Sequence, residues 1–236
     1  MWSLDDDRLH RGRILRAVSA TGDFADRLSA VYTGALTDVL DRRGYRQQTL
    51  PADIIALRPG MRLAGPAYPV LGRAHPGHDY DTSIRKILAM LGSVPAGSVA
   101  VYETNDRTAA HIGELSVTSL ASRGCAGAVL DGGARDVEYI LREDFPVFSR
   151  YVTPQDAVVR WEVMAHGDVT IVVGGVRVSP GDWVAGDRDG IVVIPGATLE
   201  EILAEAEEKV ATESEIRSAV REGMRPLEAY ERYGTF

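Results

Sequence analysis

The sequence predicts a layered α/β domain in which a central sheet carries helices on one side and a second sheet on the other. Three observations predict it. Helical and strand-like periods alternate through the first half of the chain, whereas the second half is a run of short apolar segments separated by Gly-Asp and Pro-Gly turns. A chain of 236 residues with 45% hydrophobic content is also long enough to bury one full core. The expected organisation is a single domain over 1–236, with helices at the N-terminus and a helical extension at the C-terminus.

The elements follow in order. A first helix is expected over Asp6 to Ser19. Leu28, Val31, Tyr32, Ala35, Leu36, Val39 and Leu40 then recur at steps of three and four, with Gly44 beyond them, so one amphipathic helix with a glycine stop is predicted. Strands are expected over Leu63 to Leu71 and Ser98 to Tyr102, with a helix from Tyr80 to Leu91 between them. Val117, Leu120 and Ala121 fall at helical spacing after Gly113, Gly124 ends that helix, and Ala126 to Leu130 is an apolar run of strand length. A short helix is expected over Val137 to Leu141. Strands follow near Phe145, Val158 to Val163, Thr170 to Val178, Asp182 to Ala185 and Ile191 to Ile194. A long helix begins near Thr198, a suitable N-cap, with Leu199, Ile202, Leu203, Ala206 and Val210 on one face and many glutamates on the other.

Two strand-to-helix junctions concentrate the chemistry. Gly113-Glu114-Leu115-Ser116 opens one helix, whose first backbone N–H groups have no intrahelical partners and attract an anion. Gly113 lets a ligand approach that backbone closely. The second junction, Asp131-Gly132-Gly133-Ala134-Arg135-Asp136, reads as a glycine turn, with Arg135 and Asp136 projecting from the first turn of the next helix. Arg135 offers a planar fork of donors suited to a carboxylate or a developing oxyanion, and Asp136 offers a carboxylate suited to a hard cation such as magnesium or manganese. The bland alternative is a solvated pair in which Asp136 merely complements the helix dipole.

Other sites fit less well. Gly127, Gly132 and Gly133 miss the Gly-x-Gly-x-x-Gly spacing, and no Gly-Lys-Ser/Thr occurs, so nucleotide binding is not indicated. No Gly-x-Ser-x-Gly elbow is present. Lys86 and Lys209 both lie in predicted amphipathic helices, which weighs against a Schiff-base lysine. His75-Pro76-Gly77-His78, with Asp79 and Asp81, forms a turn without a clear third metal ligand and is expected to shape a substrate entrance. His111 is either a second proton carrier or a packed wall residue.

Composition excludes some partners. A net charge of −8, from 34 acidic against 26 basic residues, argues against tracking nucleic-acid phosphates or an anionic membrane. The acidic start Met1-Trp2-Ser3-Leu4-Asp5 lacks a signal-peptide pattern, and no apolar stretch reaches the length of a membrane span. The single Cys125 suits a reducing cytoplasm, the expected location, and reads as a buried packing residue.

The spacing of Glu114, twenty intervening residues, and Arg135-Asp136 resembles the signature of the RraA-like family, which contains the regulators of ribonuclease activity A and the class II 4-hydroxy-4-methyl-2-oxoglutarate aldolases. Pro180-Gly181-Asp182 through Ile194-Pro195, Thr37 to Arg42, Gly65-Pro66-Ala67 and Phe145 to Phe148 match in order, so the likeness spans roughly residues 30 to 200. Two departures stand out: Glu114 replaces an aspartate, and Ile112 replaces the usual aromatic residue. The resemblance implies a swivelling β/β/α sandwich, a homotrimer or a homohexamer of two trimers, and active sites between subunits. It also implies a further carboxylate from a neighbouring subunit's C-terminal region, with Glu200, Glu201, Glu205, Glu207 and Glu208 as candidates.

The function so implied is a metal-dependent pyruvate-type aldolase acting on small 2-oxo acids, with oxaloacetate decarboxylation as a side activity. Gly113, Glu114, Leu115, Ser116 and Arg135 would bind substrate, Asp136 the metal, and Glu114 and Arg135 would be catalytic, as proton carrier and oxyanion donor. Asp131 is a candidate to orient Arg135, the alternative being closure of its own turn. His75, His78, His111 and Arg107 are candidates to select the distal half of the substrate. Two other functions fit the resemblance: a ribonuclease regulator that acts by protein contact, and another metal-dependent lyase or dehydratase of sugar acids.

Overall fold

Strand β2 (Leu63–Ala74) organises the fold because it pairs with three different partners. Leu63 to Pro66 run antiparallel to β10 (Trp183–Asp187), Ala67 to Leu71 run parallel to β3 (Val99–Glu103), and Val70 to Ala74 run antiparallel to β7 (Trp161–His166). From β3 the parallel sheet continues through β5 (Gly127–Ala134) to β6 (Val147–Val152), edged by the short antiparallel β1 (Ile55–Ala56). Three-residue β4 (Ala110–Ile112) pairs in parallel with the end of β5, and β11 (Gly190–Ile194) closes the other side on β10. A separate hairpin joins β8 (Ile171–Val173) to β9 (Val176–Val178). This computed structural model of the protein describes residues 23–75, 77 and 79–236. The helix expected over Asp6 to Ser19, together with Pro76 and His78, lies outside them.

Period-two alternation sorts the side chains into layers. Ala100 and Tyr102 of β3 and Ala128 and Leu130 of β5 face a core built with α3 (Tyr80–Ser93), α4 (Glu114–Ser122) and α5 (Val137–Arg142). Val99, Val101 and Val129 face the opposite way, onto β8, β9, Val184, Ile191 and Val193. The far side of β10 and β11, with Trp183, Ala185, Val192 and Ile194, packs on α1 (residues 23–30), α2 (Thr33–Arg42) and α6 (Leu199–Arg221). The result is the expected β/β/α sandwich with an additional helical layer, followed by α7 (Pro226–Tyr233). Among the described residues, no helix is long and apolar enough to cross a membrane.

Several elements differ from expectation for identifiable reasons. The helix predicted through Leu28 to Leu40 breaks at Tyr32, which is extended at φ −83° and ψ 150°. Asp187 causes the restart: its carboxylate accepts the Thr33 amide at 2.9 Å and the Thr33 hydroxyl at 2.7 Å, so the last residue of β10 supplies the cap that α2 lacks. The run from Thr170 to Val178 is a hairpin, because Gly174 and Gly175 both take positive φ. Thr198 stands at the α6 N-cap, but its hydroxyl donates to Pro195 O and leaves the helix amides alone. The strand expected over Val158 to Val163 starts later, at Trp161, after a turn in which Arg160 and Trp161 both bond to Ala157 O.

Candidate active site

The pairing of β4 with the end of β5 brings the two candidate junctions together. Ala110 stands opposite Gly133 and Ile112 opposite Ala134, and the Arg135 amide donates to Ile112 O at 3.0 Å. The start of α4 therefore lies directly beside Arg135 and Asp136. The Asp136 carboxylate accepts the Glu114 amide at 3.2 Å. Arg135 Nε stands 3.5 Å from Asp136 Oδ2, and Arg135 Nη1 stands 3.6 Å from Asp156 Oδ1. Both are ion-pair distances beyond good hydrogen-bond length, so the guanidinium is oriented while its N–H groups remain available to a ligand.

Glycine has a different purpose here from the one expected. Gly132 and Gly133 are strand residues of β5, not a turn, and neither has positive φ. They are required for space. A Cβ on Gly132 would lie 2.5 Å from His111 Nδ1, and one on Gly133 would lie 2.4 Å from Tyr151 Cε2 and 2.8 Å from Ala109 O. Gly113 is extended at φ −141°, and its Cβ would lie 2.7 Å from Asp136 Oδ2. Asp136 carries the backbone strain instead, at φ 57° and ψ 34° just before α5. Arg135 and Asp136 thus precede the helix instead of projecting from its first turn. A left-handed aspartate costs on the order of 1 kcal/mol and is maintained by the surrounding bonds.

Behind this site lies a buried polar cluster. The His111 side chain has no exposed surface, stands 3.2 Å from Asp106 Oδ2 through Nε2, and accepts the Gly133 amide at Nδ1 over 3.3 Å. Its ring meets Trp161 edge-on at 5.0 Å. Burial pushes its pKa down to about 4 against the pull of Asp106, so the neutral ring serves as a packed strut under β5. Asp131 does not orient Arg135. It binds Arg107 Nη1 at 2.5 Å and Arg150 Nε, which fixes the other side of the strand end.

The cleft at the junction has room for about 270 Å3 and is lined by Gly113, Glu114, Leu115 and Ser116, by Arg135 and Asp136, and by two groups that local motifs did not reveal. One is Asp156, which reaches the site through a loop bridged to Ala110 and has no sequence pattern around it. The other is α3, contributing Tyr80, Ile84 and Leu88; the helix was legible, but not what its apolar face covers. Of the residues expected to select the distal half of the substrate, His111 lines the cleft although its ring is buried, His75 and Arg107 do not line it, and His78 is outside the described residues. The Glu114 amide is taken by Asp136. The amides of Leu115 and Ser116 remain to meet an anion, since the first helical bond is Val117 N to Gly113 O at 3.0 Å.

A divalent cation would find Asp136 here, with Glu114 and Asp156 as the other carboxylates of the lining. Asp136 Oδ2 meets the Glu114 amide and Arg135, whereas Oδ1 has no donor among the described residues. No group of three His, Cys, Asp or Glu able to hold a metal ion occurs among the described residues. The donor set therefore fits a hard cation that keeps most of its waters. Of the C-terminal glutamates considered for a neighbouring site, Glu201 and Glu205 pair with Arg43, and Glu207 pairs with Arg27 at 2.8 Å, within the same chain.

Known proteins resemble this chain in sequence and in fold. The sequence profile of the RraA-like family, described as Aldolase/RraA, matches residues 33–193. A protein of Halalkalibacterium halodurans named "Putative 4-hydroxy-4-methyl-2-oxoglutarate aldolase" is 27% identical over 208 residues, 88% of this chain and 93% of that protein. An uncharacterized protein from Pseudomonas syringae pv. tomato superimposes with a TM-score of 0.80 at 29% identity, covering 90% of this chain and 94% of that one. Streptomyces coelicolor RraAS2, described as an unusual member of the RNase ES inhibitor RraA protein family, superimposes with a TM-score of 0.74 at 29% identity over 84% of this chain and 98% of that one.

Proposed function

The chain belongs to the RraA-like family, and from that premise we propose that it is a lyase that cleaves 4-hydroxy-2-oxo acids to pyruvate, with oxaloacetate decarboxylation as a side activity. The observation that carries this reading is the junction itself: two unpaired helix-start amides, an oriented guanidinium with N–H groups to spare and a half-exposed carboxylate converge on one cleft.

The Leu115 and Ser116 amides receive the substrate carboxylate at the positive end of α4. Arg135 donates to the keto oxygen, where negative charge grows as the C3–C4 bond breaks. Glu114, acting through a water, takes the proton of the C4 hydroxyl and returns it to C3 of the pyruvate enolate, which becomes the methyl group. In oxaloacetate decarboxylation the C3–C4 bond breaks to release carbon dioxide, the electron pair stays in the same enolate, and the proton that Glu114 passes to C3 comes from water. Magnesium or manganese bound at Asp136 would supply a Lewis acid beside the carboxylate and keto oxygens. Asp136 also binds the Glu114 amide and so fixes the start of α4 relative to Arg135.

Leu115 at the cleft and Val152 beside Arg135 and Asp136 are apolar and exposed, which supports a further part of the proposal, that a neighbouring subunit of a homotrimer or homohexamer packs at the edge of the site. Ribonuclease regulation by protein contact is the competing reading. It draws on the acidic surface and gives Arg135 and Asp136 no chemical role.

The test replaces Arg135 with Ala and Asp136 with Ala separately. Pyruvate release is then measured from oxaloacetate and from a panel of 4-hydroxy-2-oxo acids, with and without magnesium. Loss of about a hundredfold or more in each variant is expected. Unchanged metal-dependent turnover in both would refute the proposal, and capture of an endonuclease by both variants as by the wild type would favour the regulator.

A further inference from the structure

One wall of the cleft is apolar along its length. Tyr80, Ile84, Ile87, Leu88 and Leu91 recur on α3 at steps of one, three and four and share a helix face that lines the cleft, which Ala157 and Val158 continue. From Tyr80 to Leu91 this face runs about 16 Å. Ile87 and Leu91 are buried against the core, while Tyr80 and Leu88 are 61% and 58% exposed and stand at the cleft surface.

Charge is distributed differently. The lining carries three carboxylates, Glu114, Asp136 and Asp156, and Arg135 is its one guanidinium or ammonium among the described residues. Cations of α3 are committed elsewhere: Arg85 to Asp81 at 2.7 Å, and Lys86 to the buried Glu162 at 2.5 Å. Arg107 is held by Asp131.

A dicarboxylate substrate needs donors at both ends. Arg135 and the two α4 amides serve the 2-oxo acid end, which leaves a second carboxylate to be stripped of water against α3 with only neutral hydroxyls of this chain's described residues, those of Tyr80 and Ser119, to meet it and three like charges in the same lining. An alkyl or aryl group placed there instead gains from burial. Resting on the lyase reading above, we infer that this site prefers 2-oxo acids with an uncharged, apolar distal end lying along α3 over dicarboxylates such as the 2-oxoglutarate derivative in its relatives' name. Cleavage of such a 4-hydroxy acid breaks C3–C4, leaves the electron pair in the enolate, moves the hydroxyl proton to C3 and releases an apolar aldehyde with pyruvate.

Two unreactive acids, 2-oxo-4-phenylbutanoate and 2-oxoglutarate, are titrated calorimetrically into the full chain in magnesium buffer, using wild type and Leu88→Arg. The phenyl acid is expected to bind wild type at least tenfold more tightly, and Leu88→Arg to shift that ratio at least tenfold toward 2-oxoglutarate. Tyr80→Arg, at an equally exposed position, replaces Leu88→Arg if that variant folds poorly. Equal or tighter binding of 2-oxoglutarate to wild type, no binding of either acid, or an unchanged ratio in the folded variant overturns the inference. Pyruvate release from the phenyl-substituted and carboxylate-substituted 4-hydroxy-2-oxo acids separates the two readings. Selective binding without cleavage of either keeps the specificity and removes the lyase, whereas faster cleavage of the dicarboxylate keeps the lyase and removes the specificity.

Discussion

The carboxylate of Asp136 accepts the backbone N–H of Glu114 at 3.2 Å, joining the start of α4 to the end of β5 across 22 positions of sequence. Every group assigned to catalysis is held relative to this bond.

Gly113 leaves the space for it. A methyl group there would press on Asp136 Oδ2 at 2.7 Å and on Arg135 Cγ and Nε at 3.2 Å. Gly113→Ala is expected to lower kcat/KM for pyruvate release by about a hundredfold, because small displacements of positioned groups are amplified in rate. Its thermal midpoint should stay close to wild type, since the displaced side chains are half exposed. Steady-state kinetics and a melting curve on the same sample check both.

Gly133→Ala predicts the opposite balance. The added Cβ would meet the Ala109 carbonyl at 2.8 Å, which is backbone and cannot rotate away, as well as the Tyr151 ring. A loss of about 1–3 kcal/mol in urea unfolding is expected, as for other overpacked sites.

These glycines show where sequence reading reached its limit. The helix at Tyr80, the helix beginning at Glu114 and the strands around them were legible, because apolar periods of 3.6 and 2 are local properties. A glycine pair before Arg135 looked like a turn, since glycine's turn preference is local too. The real cause, a histidine and a tyrosine packed against the strand, comes from distant segments. Asp156 was invisible for the same reason: its loop is placed by pairing with Ala110, not by its own neighbours. The break at Tyr32 likewise depends on Asp187, 154 positions beyond Thr33.

His111 links the site to pH. Its pKa is depressed from 6.5 to about 4, chiefly by burial, so the unfolded chain takes up a proton before the folded one does. Stability from this group is full above pH 6.5 and is lost as pH falls through about 4, by up to about 3 kcal/mol. His111→Gln is expected to flatten the pH dependence of unfolding in that window, measured by denaturant titration at successive pH values.

Glu162 ties the apolar wall to the sheet. This buried carboxylate on β7 binds Lys86 of α3 at 2.5 Å and Arg73 of β2 at 2.7 Å, and the Lys86 bond above all holds its pKa near 2. The depressed value means that its contribution is present above pH 4.5 and disappears as pH falls through about 2. With both cations half exposed, Glu162→Gln is expected to cost only about 1 kcal/mol at neutral pH. It should raise KM more than it lowers kcat, because α3 lines the cleft without touching the reacting carbons. Kinetics on the folded variant test that split.

Stabilisation of a pyruvate enolate by Arg135 is tested by proton exchange, without any choice of distal substituent. Pyruvate is incubated with the protein and magnesium in D2O, and its methyl signal is followed by NMR. Wild type is expected to replace the methyl protons with deuterium, and Arg135→Ala to slow that exchange by about a hundredfold or more. Exchange at the same rate in Arg135→Ala, or none above background in wild type, would show that Arg135 stabilises no enolate here.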